Sequence, residues 1–425
     1  MENEIKEIMQ LIKDMSESAE FIATYKRSMK DFIRKVKLSF SDVIFFVLGK
    51  TGNTFDFELL NFCHKKDIEV STSGICQARA KVKYTAFEEL LRATSKAIEP
   101  KNLYKGYRLT SFDGMQGELP RTAELMEKYS PSPKAEYPMF HAVAEYDVLN
   151  YCYTNAIFAP APADERELAC ELLRKHDYEG AEIFLQDRGF PSIQMIQRLE
   201  QSGKKYIMRV STSFLREVNE FGASESSDEQ IHVNYDKRRK ATSRVKFDGE
   251  EYEFDIRCVK IELAKGETEI LISNLTKDEM TLEEMDILYN LRWRIETSFL
   301  DLKHAVHVEE FIGKKEDFIK QEFYASLIQS NISMMFVEAA NIEMNSKKKE
   351  GRKLEYAVNK RKLISVVRDS FYDLLYKSFP LIFEKIINFV VQFKSAIRPG
   401  RMFKRKFSSC KHPVGYRKNW FGGLA

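Results

Sequence analysis

The chain has 425 residues, 44% of them hydrophobic and 31% charged, so it can bury a full core and its length suggests more than one structural unit. A formal net charge of only +3 excludes a molecule that holds a polyanion by bulk charge alone. Six scattered cysteines (Cys63, Cys76, Cys152, Cys170, Cys258, Cys410), with no CxxC pair and no zinc spacing, exclude a zinc module and read as reduced thiols.

The N-terminus, "MENEIKEIMQ", has no basic stretch followed by an apolar one, and the longest apolar run, "VIFFVLG", is too short to cross a bilayer. No membrane partner is expected, and the protein is expected to be cytoplasmic. Residues 1–100 read as a helical domain, with apolar positions at helical spacing in "IKEIMQLIKDM" and "AFEELLRATSKAI". Within it, "STSGICQARAKVKYTAFEELL" sets a Ser/Thr cluster before Gln77, Arg79, Lys81 and Lys83. Two readings stay open: a small helix-turn-helix reading head, or an ordinary amphipathic helix with a wet face.

After Pro100 the periodicity changes. "YRLTSFDG", "MFHAVAEYDV" and "NYCYTNAIFA" read as three strands, "DERELACELLRKH" as a helix and "AEIFLQ" as a short buried strand ending at Asp187. Ser192 can cap the helix "IQMIQRLEQSG", and "KYIMRV" is a fifth strand. Residues 101–210 are therefore expected to form the first part of an α/β core whose three leading strands make an antiparallel meander. Residues 211–275 read as an all-β insertion, with Asp248 and Gly249 at a hairpin turn. Residues 276–396 return to helices. They open on a capping box of Thr281 and Glu284, and Ile287, Leu288, Leu291, Ile295 and Leu302 mark the buried side. Residues 397–425 form a basic tail: from Arg398 there are eight Lys or Arg and no Asp or Glu, which suits either a solvated terminus or contact with a phosphate backbone.

Three carboxylates stand out. Asp113 closes the first strand and Asp187 the fourth, and in a sheet of this order those strands are neighbours with their carboxyl ends on one edge. The helix after the insertion brings Glu296 to the same edge. Three such charges in a low-dielectric cleft repel one another unless a cation lies between them. The expected guest is Mg2+, a hard ion that takes oxygen ligands, with Mn2+ as a substitute. Two ions would serve attack and departure at a phosphodiester.

Along "YNLRWRIETSFLDLK", Tyr289, Arg292, Glu296 and Lys303 fall within about 60° of one another on a helix. Taken alone, Glu296 pairing with Arg292 on a solvated face would explain them. The spacing, however, resembles the signature of the IS4-type DDE transposases, within the ribonuclease-H-like or retroviral-integrase superfamily. "DG" at Asp113 and "DRG" at Asp187 resemble the family's two aspartate motifs, in the right order, and the β insertion and helical N-terminal region are similar to its pattern.

The resemblance implies a ribonuclease-H-like mixed sheet with flanking helices, interrupted by the β insertion. It implies Asp113, Asp187 and Glu296 as metal-binding catalytic residues, followed by Arg188 and Gly189. It implies cleavage at transposon inverted-repeat ends and strand transfer into target DNA, by a homodimer bracketing double-stranded DNA, nucleoid-associated when bound. Tyr289, Arg292, Lys303 and Arg188 are then DNA contacts, with Gln77, Arg79 and Lys81 reading the ends. A hairpin intermediate is left open. One departure is Met115–Gln116 where many members carry Ser or Thr. Trp293 either packs on the sheet's flank or contacts a base; His304, His307 and Asp301 read as surface residues. The alternatives are a nuclease of the same fold without strand transfer, and a DNA-binding protein that has lost catalysis.

Overall fold

The computed structural model describes residues 1–33, 37–236, 251–263, 267–346 and 355–397. The Asp248–Gly249 turn, most of "SKKKEGRK" and the tail from Arg398 lie outside the described residues.

Helices come first: α1 Glu2–Glu17, α2 Ala19–Tyr25, α3 Phe40–Leu48, α4 Phe55–Lys66, α5 Thr72–Arg79 and α6 Thr85–Ala97. Three of them start on hydroxyl caps: Ser18, Ser39 and Ser71 accept from the N–H of Phe21, Asp42 and Gly74 at the starts of α2, α3 and α5. There follow β1 Arg108–Glu118, α7 Ala123–Tyr129, β2 Met139–Asp147, β3 Cys152–Pro160, α8 Glu165–Lys175, β4 Glu182–Gln186, α9 Ile193–Gln201 and β5 Lys205–Val210. As expected, Ser192 caps α9 by accepting from Met195.

The next stretch holds α10 Arg216–Ala223, β6 Asp228–Asp236, β7 Glu251–Glu262 and β8 Thr268–Ser273. The expectation of strands alone is corrected here: α10 forms because Val218 and Phe221, one turn apart, are both buried. Then come α11 Leu282–Leu291, α12 Trp293–Asp301, a π-turn over Leu302–Val306, α13 Glu316–Ser346, β9 Tyr356–Val358, α14 Lys360–Asp369, α15 Phe371–Tyr376, α16 Phe379–Val390 and β10 Lys394–Ala396. The last stretch is thus not purely helical, since β9 and β10 pair antiparallel.

The chain divides into two compact units, one of Met1–Glu99, Gln116–Phe140 and Phe299 onward, the other of Pro100–Met115 and His141–Ser298. The first is helical and built on α13, which packs against α3, α6, α14 and α16. Nearly every residue of α13 from Phe318 to Phe336 is buried, and its buried polar side chains are bonded, Gln321 and Glu322 to Arg79 and Gln329 to the Leu48 carbonyl.

The second unit carries the sheet, ordered β3-β2-β1-β4-β5-β8-β7-β6. Strand β4 is parallel to β1 and to β5, whereas β8, β7 and β6 continue antiparallel. The N–H of Val148 donates to Leu109 and that of Leu119 to Pro138, so β1 and β2 run in opposite directions. The order 3-2-1-4-5 with β1, β4 and β5 parallel is the ribonuclease-H-like arrangement, and the insertion extends that sheet. Phe112, Phe184, Leu172, Ile196, Tyr206 and Ile272 belong to one buried core cluster formed by strands and helices of this unit.

Candidate active site

Strands β1 and β4 are in register from Arg108 opposite Glu182 to Ser111 opposite Leu185. Asp113 stands two residues past the last of these pairs on β1, and Asp187 two past it on the other chain segment, directly after β4. Strand β1 does not stop at Gly114 as the sequence suggested but runs on to Glu118; what ends is its pairing with β4, and Asp113 lies just past that point. Its Oδ1 accepts the Gly114 N–H at 2.9 Å. Burial, aided by the charges of Glu296 and Glu165, pushes the Asp113 carboxyl up to about 7, against the Gly114 bond and Arg292. Asp187 accepts from the Tyr289 hydroxyl at 3.2 Å and has Arg209 Nη1 at 3.8 Å.

The Thr281–Glu284 capping box forms as expected. The single helix expected to follow is instead interrupted at Arg292, between α11 and α12, and gives way to the π-turn at Leu302. Of the expected buried side, Leu288, Ile295 and Leu302 are buried as read, but Ile287 is 57% exposed. Of the polar stripe, Tyr289 and Arg292 are 4% and 2% exposed and turned inward, while Glu296 and Lys303 stay partly exposed. Arg292 Nη1 donates to Glu296 Oε1 at 3.0 Å, and its guanidinium lies over the rings of Tyr289 and Trp293. Its Nε is buried with no hydrogen-bond partner. The charges of Asp187 and Glu296 both act on Arg292 and raise its basicity despite burial. Asp113, Asp187, Tyr289, Arg292 and Glu296 therefore form one electrostatic group within one unit.

Three neighbours escaped the sequence reading. Glu165 begins α8 and faces His141 on β2, with its Oε1 3.5 Å from Nε2; the hydrogen bond to Glu165 raises His141 above its ordinary range despite burial. Arg209 on β5 lies 2.7 Å from Glu269 as well as beside Asp187. None carries a local motif. The only signal was position: Arg209 follows the second aspartate by one helix and one strand, and Glu165 stands directly after a capping Asp164.

The other residues singled out by sequence lie as follows. Arg188 is exposed beside Asp187. Lys303 sits in the π-turn, in the helical unit, where its amine pairs with Glu309 at 2.8 Å and the Gln116 carbonyl at 3.0 Å. Gln77 and Lys81 are exposed. Arg79 is not available as a reader of DNA: it is fully buried, bonded to Glu322 at 2.9 Å, Gln321 at 3.2 Å and the Phe318 carbonyl at 3.1 Å. Asp301 is likewise no solvated charge but a buried partner of Lys360. Trp293 is 42% exposed, His304 is exposed, and His307 pairs with Glu310. Met115 is buried, so the residue replacing the family's Ser or Thr is a packing residue here.

The donor set suits a hard divalent cation: carboxylate oxygens only, with the Asp113 carboxyl pushed up by burial and, secondarily, by the charges of Glu296 and Glu165, which a cation would offset. The carboxylates are not closed around such an ion. Among the described residues no three acidic, His or Cys side chains stand grouped to hold a metal, and Glu296 and Asp187 are instead paired with Arg292 and Tyr289.

The family described as transposase DDE domain matches residues 104–332. No curated protein matches the chain in sequence. Among solved structures, it is similar to a piggyBac transposase determined by cryo-electron microscopy as a synaptic complex with hairpin DNA. The identity is 12% and the TM-score 0.46, over 96% of this chain and 88% of that one. No helix among the described residues is long and apolar enough to cross a membrane.

Proposed function

Because this chain belongs to the DDE transposase family, whose domain covers more than half of it, we propose that it cuts at the terminal inverted repeats of a mobile element and transfers the freed ends to target DNA, as an IS4-type member. The observation that carries this reading is that Asp113 and Asp187 both lie just past the paired stretch of the parallel neighbours β1 and β4, with Glu296 acting on Asp113 from α12.

Members of this family work with divalent metal ions. Asp113, Asp187 and Glu296 are the residues that would hold them here, and two Mg2+, with Mn2+ able to substitute, would acidify an attacking hydroxyl and neutralise a leaving oxygen. The protein's own groups then do the positioning. Asp113 would bind such an ion as the carboxylate. Arg292 exchanges Glu296 for a phosphate oxygen, which its planar donors suit, and Tyr289 moves its hydroxyl from Asp187 to the same strand. Arg188, exposed beside them, and Lys303 take further phosphates of double-stranded DNA; Gln77 and Lys81 contact the repeat sequence.

Water attacks the phosphodiester at the element's end and a 3′-hydroxyl leaves. That hydroxyl then attacks target DNA and a second 3′-oxygen departs, both by in-line displacement. Both ends must be processed together, which calls for a homodimer. The test is cleavage of a labelled duplex bearing the repeats that flank the gene, with Mg2+ or Mn2+, comparing intact protein with Glu296→Gln. Divalent-dependent nicking at the repeat boundary, lost in the variant, supports the reading. Binding without cleavage by either protein overturns it.

A further inference from the structure

Glu165 is the first residue of α8, and its carboxylate lies against the glycine that follows Asp113. A Cβ on Gly114 would fall 1.7 Å from Glu165 Oε1, 2.8 Å from its Cδ and 3.1 Å from His141 Nε2. A side chain at position 114 would have to displace that carboxylate. The other oxygen faces the second motif: a Cβ on Gly189 would lie 3.8 Å from Glu165 Oε2. One carboxylate therefore spans the residue after Asp113 and the residue two beyond Asp187.

Its placement is built. Arg166, the next residue, donates from Nε to the Gly189 carbonyl and fixes the start of α8 on the Asp187 loop. His141 approaches with Nδ1 3.2 Å from the Ala163 carbonyl and Nε2 3.5 Å from Glu165 Oε1. Both partners are acceptors, so the ring satisfies them together when each nitrogen carries a proton, Nδ1 donating to the carbonyl and Nε2 to the glutamate. Capping does not account for Glu165, because Asp164 already accepts from the Arg166 and Glu167 N–H groups. Nor is Glu165 enclosed: its side chain is 35% exposed, and its charge acts on Asp113.

We propose that Glu165 is a fourth carboxylate of the divalent-ion site, accepting from water that such an ion retains, with His141 as the positioning residue that orients it. Hard ions such as Mg2+ keep several waters, and the groups that bind those waters tune affinity. This rests on the divalent-ion reading given above. The lack of a side chain at Gly114 leaves room for this carboxylate beside Asp113.

The test is Mn2+ titration into metal-free, DNA-free, full-length protein, with free ion read by electron paramagnetic resonance. Glu165→Gln is expected to weaken binding by about 10- to 100-fold, and His141→Gln to weaken it less in the same direction. Thermal unfolding without metal should be unchanged for Glu165→Gln. Should that variant not fold, Glu165→Asp, which keeps the charge and withdraws it by one methylene, is expected to show the same direction. Unchanged binding by Glu165→Gln while Asp187→Asn loses the ion overturns the proposal alone. Unchanged binding by both overturns the divalent-ion reading, and this proposal with it.

Discussion

The Tyr289 hydroxyl donates to Oδ1 of Asp187 at 3.2 Å, tying α11 to the residue that follows β4. Burial pushes the phenol well above its ordinary range, so it remains a donor at any working pH. Hydrogen bonds to charged groups contribute about 1.5–3 kcal/mol. Tyr289→Phe is therefore expected to lower the stability of the metal-free protein by up to about that amount and to slow single-turnover cleavage by about 10- to 100-fold. A variant that cuts at the parental rate would remove Tyr289 from the site.

Asp113 works against folding in the metal-free protein. Its folded carboxyl, lifted to about 7 chiefly by burial, binds a proton that the unfolded chain has already released, so stability falls as pH rises from about 4 to 7. Asp113→Asn removes that loss. At pH 8 without metal, it is expected to raise stability by on the order of 2 kcal/mol and to abolish cleavage. Calorimetry at pH 5 and pH 8 checks this, since the gain should be small at the lower pH.

A second titrating centre lies away from the site. His176 is held between Glu145 at 3.1 Å and Glu182 at 2.7 Å. Burial opposes its charge, but the two carboxylates outweigh burial and push it up to about 10. Its contribution is complete below the unfolded value of about 6.5 and is lost as pH rises towards the folded one. Glu182 behaves oppositely: burial raises it, yet His176 and Arg108 hold it below the usual carboxylate range, so its contribution is lost on acidification. The melting temperature should fall between pH 7 and pH 10, and His176→Gln should flatten that slope.

Arg79 and Lys81 are two residues apart and should behave differently. Arg79 is buried against Glu322, and removing one partner of a buried pair costs about 3–5 kcal/mol. Arg79→Met should lower the urea midpoint sharply. Lys81→Ala and Gln77→Ala, at exposed positions, should leave the midpoint in place and weaken binding to the repeat duplex. Lys81→Ala should also reduce the salt dependence of that binding by roughly one ion. Equal denaturation behaviour of Arg79→Met and Lys81→Ala would contradict the buried placement.

What the sequence determined by itself was periodic or local. Strands and helices of the core follow from alternation and helical spacing, and their starts from hydroxyl caps such as Ser192 and Thr281. The order of those elements implied β1 beside β4, and hence two aspartates on one edge, because few topologies accommodate three strands, a helix, a strand, a helix and a strand. The four-residue spacing from Tyr289 to Lys303 led to the family because it is a pattern along the chain.

Tertiary structure decided which face is which. Periodicity gives the angle between residues on a helix but not the direction of the neighbouring sheet, so Tyr289 and Arg292 were read as turned away from the core when they are buried and Ile287 is not. The break at Arg292 and the π-turn at Leu302 could not be read either, since both shift register without a Pro or Gly to announce it. Arg79 and Asp301 became structural only through ion partners far along the chain, Glu322 and Lys360. Glu165 and His141 belong to the site for the same reason: charge acts across space, and only the fold brings α8 and β2 to the glycine after Asp113.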